Sequence, residues 1–285
     1  MAKTSTKPTK STPNKPGNAD ALWEQYCETP DRELLRVYAD ALAEAGHPRG
    51  TFINLCLLDQ PTAEQTAAKQ AMQAKQKKLL AGPGGEYLRE FNFGPLGLVS
   101  RARTEAGMVI ANLDALRTLN PRLVLTITSI KTLKDAVAFE KLALGDIWFV
   151  DFGWITGTHG GMSLSDKQLR AIAPALADVR HLQLSCRGTP DKNFTPAGLR
   201  DAAPHWKALR YLAIDYYSSG LPPAADYARA VAETLPQLRA FDFSNHGSPE
   251  PGSPNVLANG RPSRETEHAI ESGVELAEQL ETALR

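Results

Sequence analysis

Beyond residue 120 the chain repeats one pattern of apolar and polar positions. Short runs of the form x-Φ-x-Φ, with Φ apolar, occur five times. They are Leu123-Val124-Leu125-Thr126-Ile127, Phe149-Val150-Asp151-Phe152, His181-Leu182-Gln183-Leu184, Tyr211-Leu212-Ala213-Ile214 and Ala240-Phe241-Asp242-Phe243. Alternation of this kind predicts strands with one buried face. Aligning the first Φ of each (Leu125, Val150, Leu182, Leu212, Phe241) gives spacings of 25, 32, 30 and 29 residues. Helical periodicity fills the intervals at Leu133–Leu142, Ser165–Leu176, Thr195–Leu209 and Pro223–Leu235, and Ser165-Asp166 and Thr195-Pro196 carry helix-start chemistry. Leu98–Ala102 reads as a further strand, with Val109–Leu119 as its helix. Strand–helix–strand at this period requires parallel strands joined by crossovers. The predicted fold class is therefore α/β, with a one-sided parallel sheet over residues 95–244.

The N-terminal third reads differently. Residues 19–82 are predicted to form a helical module. Asp20–Glu28 is its first helix, and Thr29-Pro30-Asp31 starts a second with Thr29 as the cap. Leu34, Leu35, Val37, Tyr38, Ala41 and Leu42 recur at helical spacing, and Gly46 followed by Pro48 closes the helix. Thr51–Leu58 is a further helical run. Residues 62–81 (TAEQTAAKQAMQAKQKKLLA) consist of strong helix formers with a thin apolar stripe, which predicts an exposed helix ending in Lys75, Lys77 and Lys78. Gly82-Pro83-Gly84-Gly85 is a breaker between modules.

The two ends lack core-forming sequence. Residues 1–18 hold four lysines, no acid and many Thr, Ser and Pro, which predicts a disordered tail. Residues 245–263 are a Pro/Gly-rich loop. Residues 264–285 are expected to form a helix that caps the open end of the sheet.

Charge and cysteine content narrow the partners. Lys+Arg and Asp+Glu are both 32, so there is no net charge to draw the chain to nucleic acid or to an acidic membrane. The alternative of a nucleic-acid-associated protein rests only on the tail and Lys75–Lys78, with no aromatics interleaved. The three cysteines (Cys27, Cys56, Cys186) are far apart and form no CxxC pair, which fits a reducing cytoplasm and small apolar packing roles. No apolar run approaches a membrane span, and no apolar stretch follows the N-terminal lysines as in a secretory signal.

Two stretches resemble known families. Leu34-Leu35-Arg36-Val37-Tyr38-Ala39-Asp40-Ala41-Leu42 followed by Gly46-His47-Pro48-Arg49-Gly50-Thr51-Phe52-Ile53 resembles the bacterial repeat-companion domain, which occurs beside leucine-rich repeats. The likeness spans about 30 residues; Ala41 stands where that family usually has Trp. The later strand–helix units resemble degenerate leucine-rich repeats, with Arg187, Tyr217 and His246 where those repeats place Asn or Cys. The resemblance implies a short leucine-rich-repeat-like solenoid behind an N-terminal helical module, and a protein-interaction role. It brings no catalytic residues.

In such strands the Φ side chains enter the core and the x side chains face away from it. Three columns result: Val124, Phe149, His181, Tyr211, Ala240; Thr126, Asp151, Gln183, Ala213, Asp242; and Thr128, Gly153, Ser185, Asp215, Ser244. They are expected to line an open face. Phe149, His181 and Tyr211 would anchor a protein partner, and Asp151, Gln183, Asp215 and Asp242 would select one with a basic surface. Trp154 and His159, in or beside the Gly157–Gly161 loop, are further rim candidates. Asp151 and Asp242 lie three strands apart, roughly 14 Å, too far for paired acid–base work. No GxSxG elbow, HExxH or phosphate loop is present, so the alternative of a hydrolase has no motif behind it. The expectation is a non-enzymatic scaffold in the cytoplasm, with no cofactor and no metal.

Overall fold

The structure is a computed structural model. It describes residues 19–130, 132–152, 164–186, 193–216 and 224–245. The expected tail at 1–18, the loop and helix beyond 245, and the candidates Trp154 and His159 lie outside the described residues. The chain divides into two compact units, one up to Gly82 with Pro95–Leu98, the other taking Pro83–Gly94 and everything from Val99.

The first unit holds four helices: α1 (Ala19–Glu28), α2 (Arg32–Glu44), α3 (Pro48–Cys56) and α4 (Ala63–Ala81). Asp31, not Thr29, caps α2. Its carboxylate accepts from the N–H groups of Glu33 (2.9 Å) and Leu34 (3.0 Å), and its negative charge suits a helix N-terminus. Gly46 ends α2 with a positive φ of 76°. His47 then caps α3 by accepting from Arg49 N–H at 3.2 Å, with Pro48 at the first helical position. That cap starts the helix three residues before the expected Thr51. Tyr26, Leu35, Tyr38, Ala39, Ile53, Leu57 and Leu98 form the core, with Trp23 packed against it. A Cβ on Gly50 would collide with backbone atoms of Ala39 and Ala43, so glycine is what lets α2 and α3 meet. Arg49 is buried at 4% exposure. Its guanidinium lies 5.1 Å from the Trp23 ring and 5.9 Å from the Tyr38 ring, and donates to the Tyr38 hydroxyl at 3.3 Å. Thr62 opens α4 with a capping box to Gln65, and Lys75, Lys77 and Lys78 are exposed near its end.

The second unit is a seven-stranded sheet in chain order: β1 (Glu90–Phe93), β2 (Val99–Glu105), β3 (Val124–Thr128), β4 (Phe149–Phe152), β5 (His181–Cys186), β6 (Tyr211–Tyr216) and β7 (Ala240–Asn245). β1 runs antiparallel to β2, and every later pair is parallel. The register pairs Leu125 with Val150, Val150 with Leu182, Leu182 with Leu212, and Leu212 with Phe241. These are the positions the repeat alignment matches. β1 was not read from the sequence: Glu90-Phe91-Asn92-Phe93 has the x-Φ-x-Φ form, but it is a single four-residue run outside the repeat spacing and pairs on one side only, antiparallel to β2.

The helices α5 (Ala106–Arg117), α6 (Leu133–Ala138), α7 (Asp166–Ile172), α8 (Pro196–Ala202) and α9 (Ala224–Thr234) follow the strands in order, each packed on the next. α7 and α8 run on into 3-10 turns at Ala173–Leu176 and Ala203–His205. The Φ side chains pack toward this row. Phe139 meets Phe152 at 6.3 Å and Tyr227 meets Phe243 at 5.8 Å. Side chains other than a regular Asn column tie one unit to the next. Asn120 donates to Val99 O (2.9 Å), Gln168 to Ile130 O (3.4 Å), Tyr227 to Phe194 O (2.8 Å) and Gln237 to Trp206 O (2.8 Å). The Ile130, Phe194 and Trp206 carbonyls lie outside the strands, and Val99 is the first residue of β2. Among the described residues no helix is long and apolar enough to cross a membrane.

Candidate functional site

The side chains that alternate away from the helices form the expected columns. The middle one runs in register across six strands: Arg103, Thr126, Asp151, Gln183, Ala213, Asp242. Beside it, Val124 pairs with Phe149 and His181 with Tyr211 and Ala240 in succession. Ser185 and Asp215, paired in register, belong to the third.

The face is not open, which corrects the expectation. Phe149, Asp151 and Tyr211 have no exposed surface, and His181, Gln183 and Asp215 are 2–3% exposed. Alternation distinguishes the two faces of a sheet. It cannot say which is accessible, because residues remote in sequence decide that. The half-exposed positions are at the margins: Arg101, Arg103 and Thr126 toward one edge, Trp148 at the start of β4, and Ala240 and Asp242 on β7.

The first column is aromatic. Phe149 stacks on His181 at 6.3 Å and meets Tyr211 at 5.9 Å, and Trp148 lies 4.8 Å from His181. His181 Nδ1 is 2.7 Å from Trp148 O, which orients the ring. Rings at these separations add attraction beyond their buried area.

The neighbouring columns are acidic and polar. Thr126 donates its hydroxyl proton to Asp151 Oδ2 at 3.0 Å, and Gln183 Nε2 donates to Asp215 Oδ2 at 3.2 Å. Asp151 Oδ1, Ser185 Oγ and Tyr211 OH are buried and have no hydrogen-bond partner among the described residues. Buried polar atoms are normally satisfied, so three orphans on three adjacent strands mark this patch as unusual. Burial pushes the Asp151 carboxyl up to about 7. The Thr126 hydroxyl opposes the rise, the charge of Asp215 adds to it, and Arg103 and Arg101 oppose it. The Tyr211 phenol is raised by burial and then by Asp242 and Asp215.

Arg101 and Arg103 belong to the site's electrostatics and were missed as members of it. Their signal was available: Arg101-Ala102-Arg103 falls in register with Val124-Leu125-Thr126, but a short Ala in the Φ position hid the alternation. Arg103 is held by Glu90 at 2.9 Å. Along the sheet the arginines of β2 are followed by carboxylates on β4, β6 and β7, with Glu90 on β1 flanking the arginines on the other side.

Among the described residues no group of three or more His, Cys, Asp or Glu side chains converges to hold a metal ion. The chemistry the patch offers is different: rigid rings, carboxylates, and one carboxyl able to gain or lose a proton near neutrality. No family model matches the chain, and neither a curated protein nor a solved structure is significantly similar to it.

Proposed function

We propose that the protein is a non-enzymatic interaction scaffold of the cytoplasm, a short leucine-rich-repeat-like solenoid that binds a protein partner with a basic surface. The observation that carries this reading is the aromatic column flanked in register by carboxylates across β4 to β7. The packed, buried rings stiffen this part of the sheet, and the groups a partner can meet are those at its margin, Trp148, Ala240 and Asp242. Repetition at 25 to 32 residues supports the solenoid reading, as does the likeness of the N-terminal unit to the repeat-companion domain. The accessible margin at Ala240 and Asp242 is the entry for the partner. Reversing charge there tests the reading. Affinity capture with the wild-type chain and with Asp242→Lys, both checked for the same melting temperature, should retain a partner only with wild type. Equal capture by both would refute a basic partner on this face.

A further inference from the structure

We propose that Arg180, Arg210 and Arg239 form a row at the starts of β5, β6 and β7 that binds an acidic segment of another protein. The inference stands apart from the scaffold reading, since it concerns the strand starts and not the margin at Asp242.

The sequence repeats an arginine just ahead of three strands: Val179-Arg180-His181-Leu182, Leu209-Arg210-Tyr211-Leu212 and Leu238-Arg239-Ala240-Phe241, at spacings of 30 and 29 residues. The sheet brings the three side by side. His181, Tyr211 and Ala240 pair in register, and the ladder continues one residue outward. Arg210 N–H donates to Arg180 O at 2.8 Å, and Arg239 N–H to Arg210 O at 2.9 Å. Strands lie about 4.8 Å apart, so the three α-carbons span about 10 Å.

The row is accessible. Arg180 and Arg239 are exposed, and Arg210 is half-buried. Arg210 Nη1 donates to Lys207 O at 3.4 Å and Leu209 O at 3.1 Å, which ties the side chain to the turn ahead of β6. Exposed Lys207 in that turn adds a fourth positive charge. Among the described residues none of the three arginines is ion-paired. Elsewhere on this unit arginines do have partners: Arg117 with Asp146, Arg170 with Asp201, Arg200 with Glu233. Like charges facing each other on neighbouring strands are destabilising, and a counter-charged ligand relieves that repulsion.

Three features select carboxylates on a polypeptide. All three side chains are arginine, whose planar fork meets a carboxylate with two parallel hydrogen bonds. Three charges are few for a nucleic-acid backbone, and the chain has no net charge to draw one in. Acids flank the row: Asp178 stands two residues before Arg180, and half-exposed Asp242 three residues after Arg239. They repel a polyanion that runs on past the arginines, whereas a polypeptide can confine its charge to the stretch that meets them. Glutamates at alternate positions of an extended segment lie about 7 Å apart, within the span of the long arginine side chains.

The test uses the full chain and an acetylated heptapeptide amide with glutamates at alternate positions, glycine between them and an uncharged dye. Fluorescence polarisation measures its binding beside that of its glutamine counterpart and of an oligothymidylate of matched charge. Expected at low salt are a Kd of about 1 mM or tighter for the glutamate peptide and at least about tenfold weaker binding of the other two. In about 1 M salt, where charges are screened over roughly 3 Å, binding should be lost. Arg180→Glu with Arg239→Glu should abolish binding. The milder Arg180→Gln with Arg239→Gln, both at exposed positions, should weaken it severalfold with the fold intact. Arg229→Glu, at an exposed arginine of α9, should leave it unchanged. No binding, equal binding of the glutamine peptide, insensitivity to the Arg180 and Arg239 variants, or an equal loss with Arg229→Glu overturns the proposal. Tighter binding of the oligothymidylate overturns it too, and assigns the row to a nucleic acid.

Discussion

The Asp166 carboxylate accepts from both the backbone N–H of Thr195, at 2.6 Å, and its hydroxyl, at 2.9 Å. Asp166 opens α7 and Thr195 caps α8, so one side chain sets the stagger of neighbouring helices. Gly198, one turn further on, lies so close that a Cβ there would collide with the same carboxylate. Asp166→Ala should lower stability by about 1–3 kcal/mol, because it strands two donors in a partly buried site. Gly198→Ala should cost about 1–3 kcal/mol through overpacking. Urea melts of both variants check this. Losses that add fully in the double variant would show that the two sites are independent, contrary to their contact.

Asp151 should make stability depend on pH. Its folded value, about 7, lies above the ordinary 3.8, so the native state holds the proton more tightly than the unfolded chain. The contribution is present in full below the ordinary value and is lost as pH rises from about 4 to 7. Over that window the displacement is worth on the order of 4 kcal/mol. The difference in stability between Asp151→Asn and wild type should therefore grow in favour of the variant from pH 4 to 7 and stay constant to pH 9. A difference independent of pH would mean that Asp151 titrates normally.

Arg49 should resist replacement by lysine. Its plane lies by Trp23 and Tyr38, and Gly82, with a φ of +95°, passes directly against the guanidinium. Arg49→Lys removes the stacking plane, with an expected loss of about 1–2 kcal/mol. Gly82→Ala adds both a strained φ and a clash, about 1–3 kcal/mol. Tryptophan fluorescence during denaturation reports both, since Trp23 is in the contact.

Cys27 should be slow to react. Half-burial pushes its thiol up to about 11, with Arg49 lowering it and Glu24 raising it. At pH 8 its thiolate fraction is about a hundredfold below that of a thiol at the ordinary value of 9.0. Peptide mapping after iodoacetamide treatment, cysteine by cysteine, measures this. Labelling of Cys27 as fast as a free cysteine would contradict the burial.

The sheet was legible because alternation at a regular period leaves few choices. Burying Leu125, Val150, Leu182, Leu212 and Phe241 on one side dictates their mutual register, and the strands pair that way. β1 and the capping role of Asp31 were less legible, since both depend on partners that a local pattern does not contain. The membership of the candidate site followed from the same alternation, apart from Arg101 and Arg103, where a small residue in the apolar position weakened the signal.

The sequence by itself determined the order of the elements from β2 to β7, their parallel pairing and the columns, because period and side-chain alternation are local properties. Only the tertiary structure decided that the columns are buried, that Thr126 and Gln183 partner the carboxylates of Asp151 and Asp215, and that Asp151 Oδ1, Ser185 Oγ and Tyr211 OH are left unpaired. Solvent exposure and hydrogen bonding are set by residues distant along the chain, and the protonation of Asp151 follows from both.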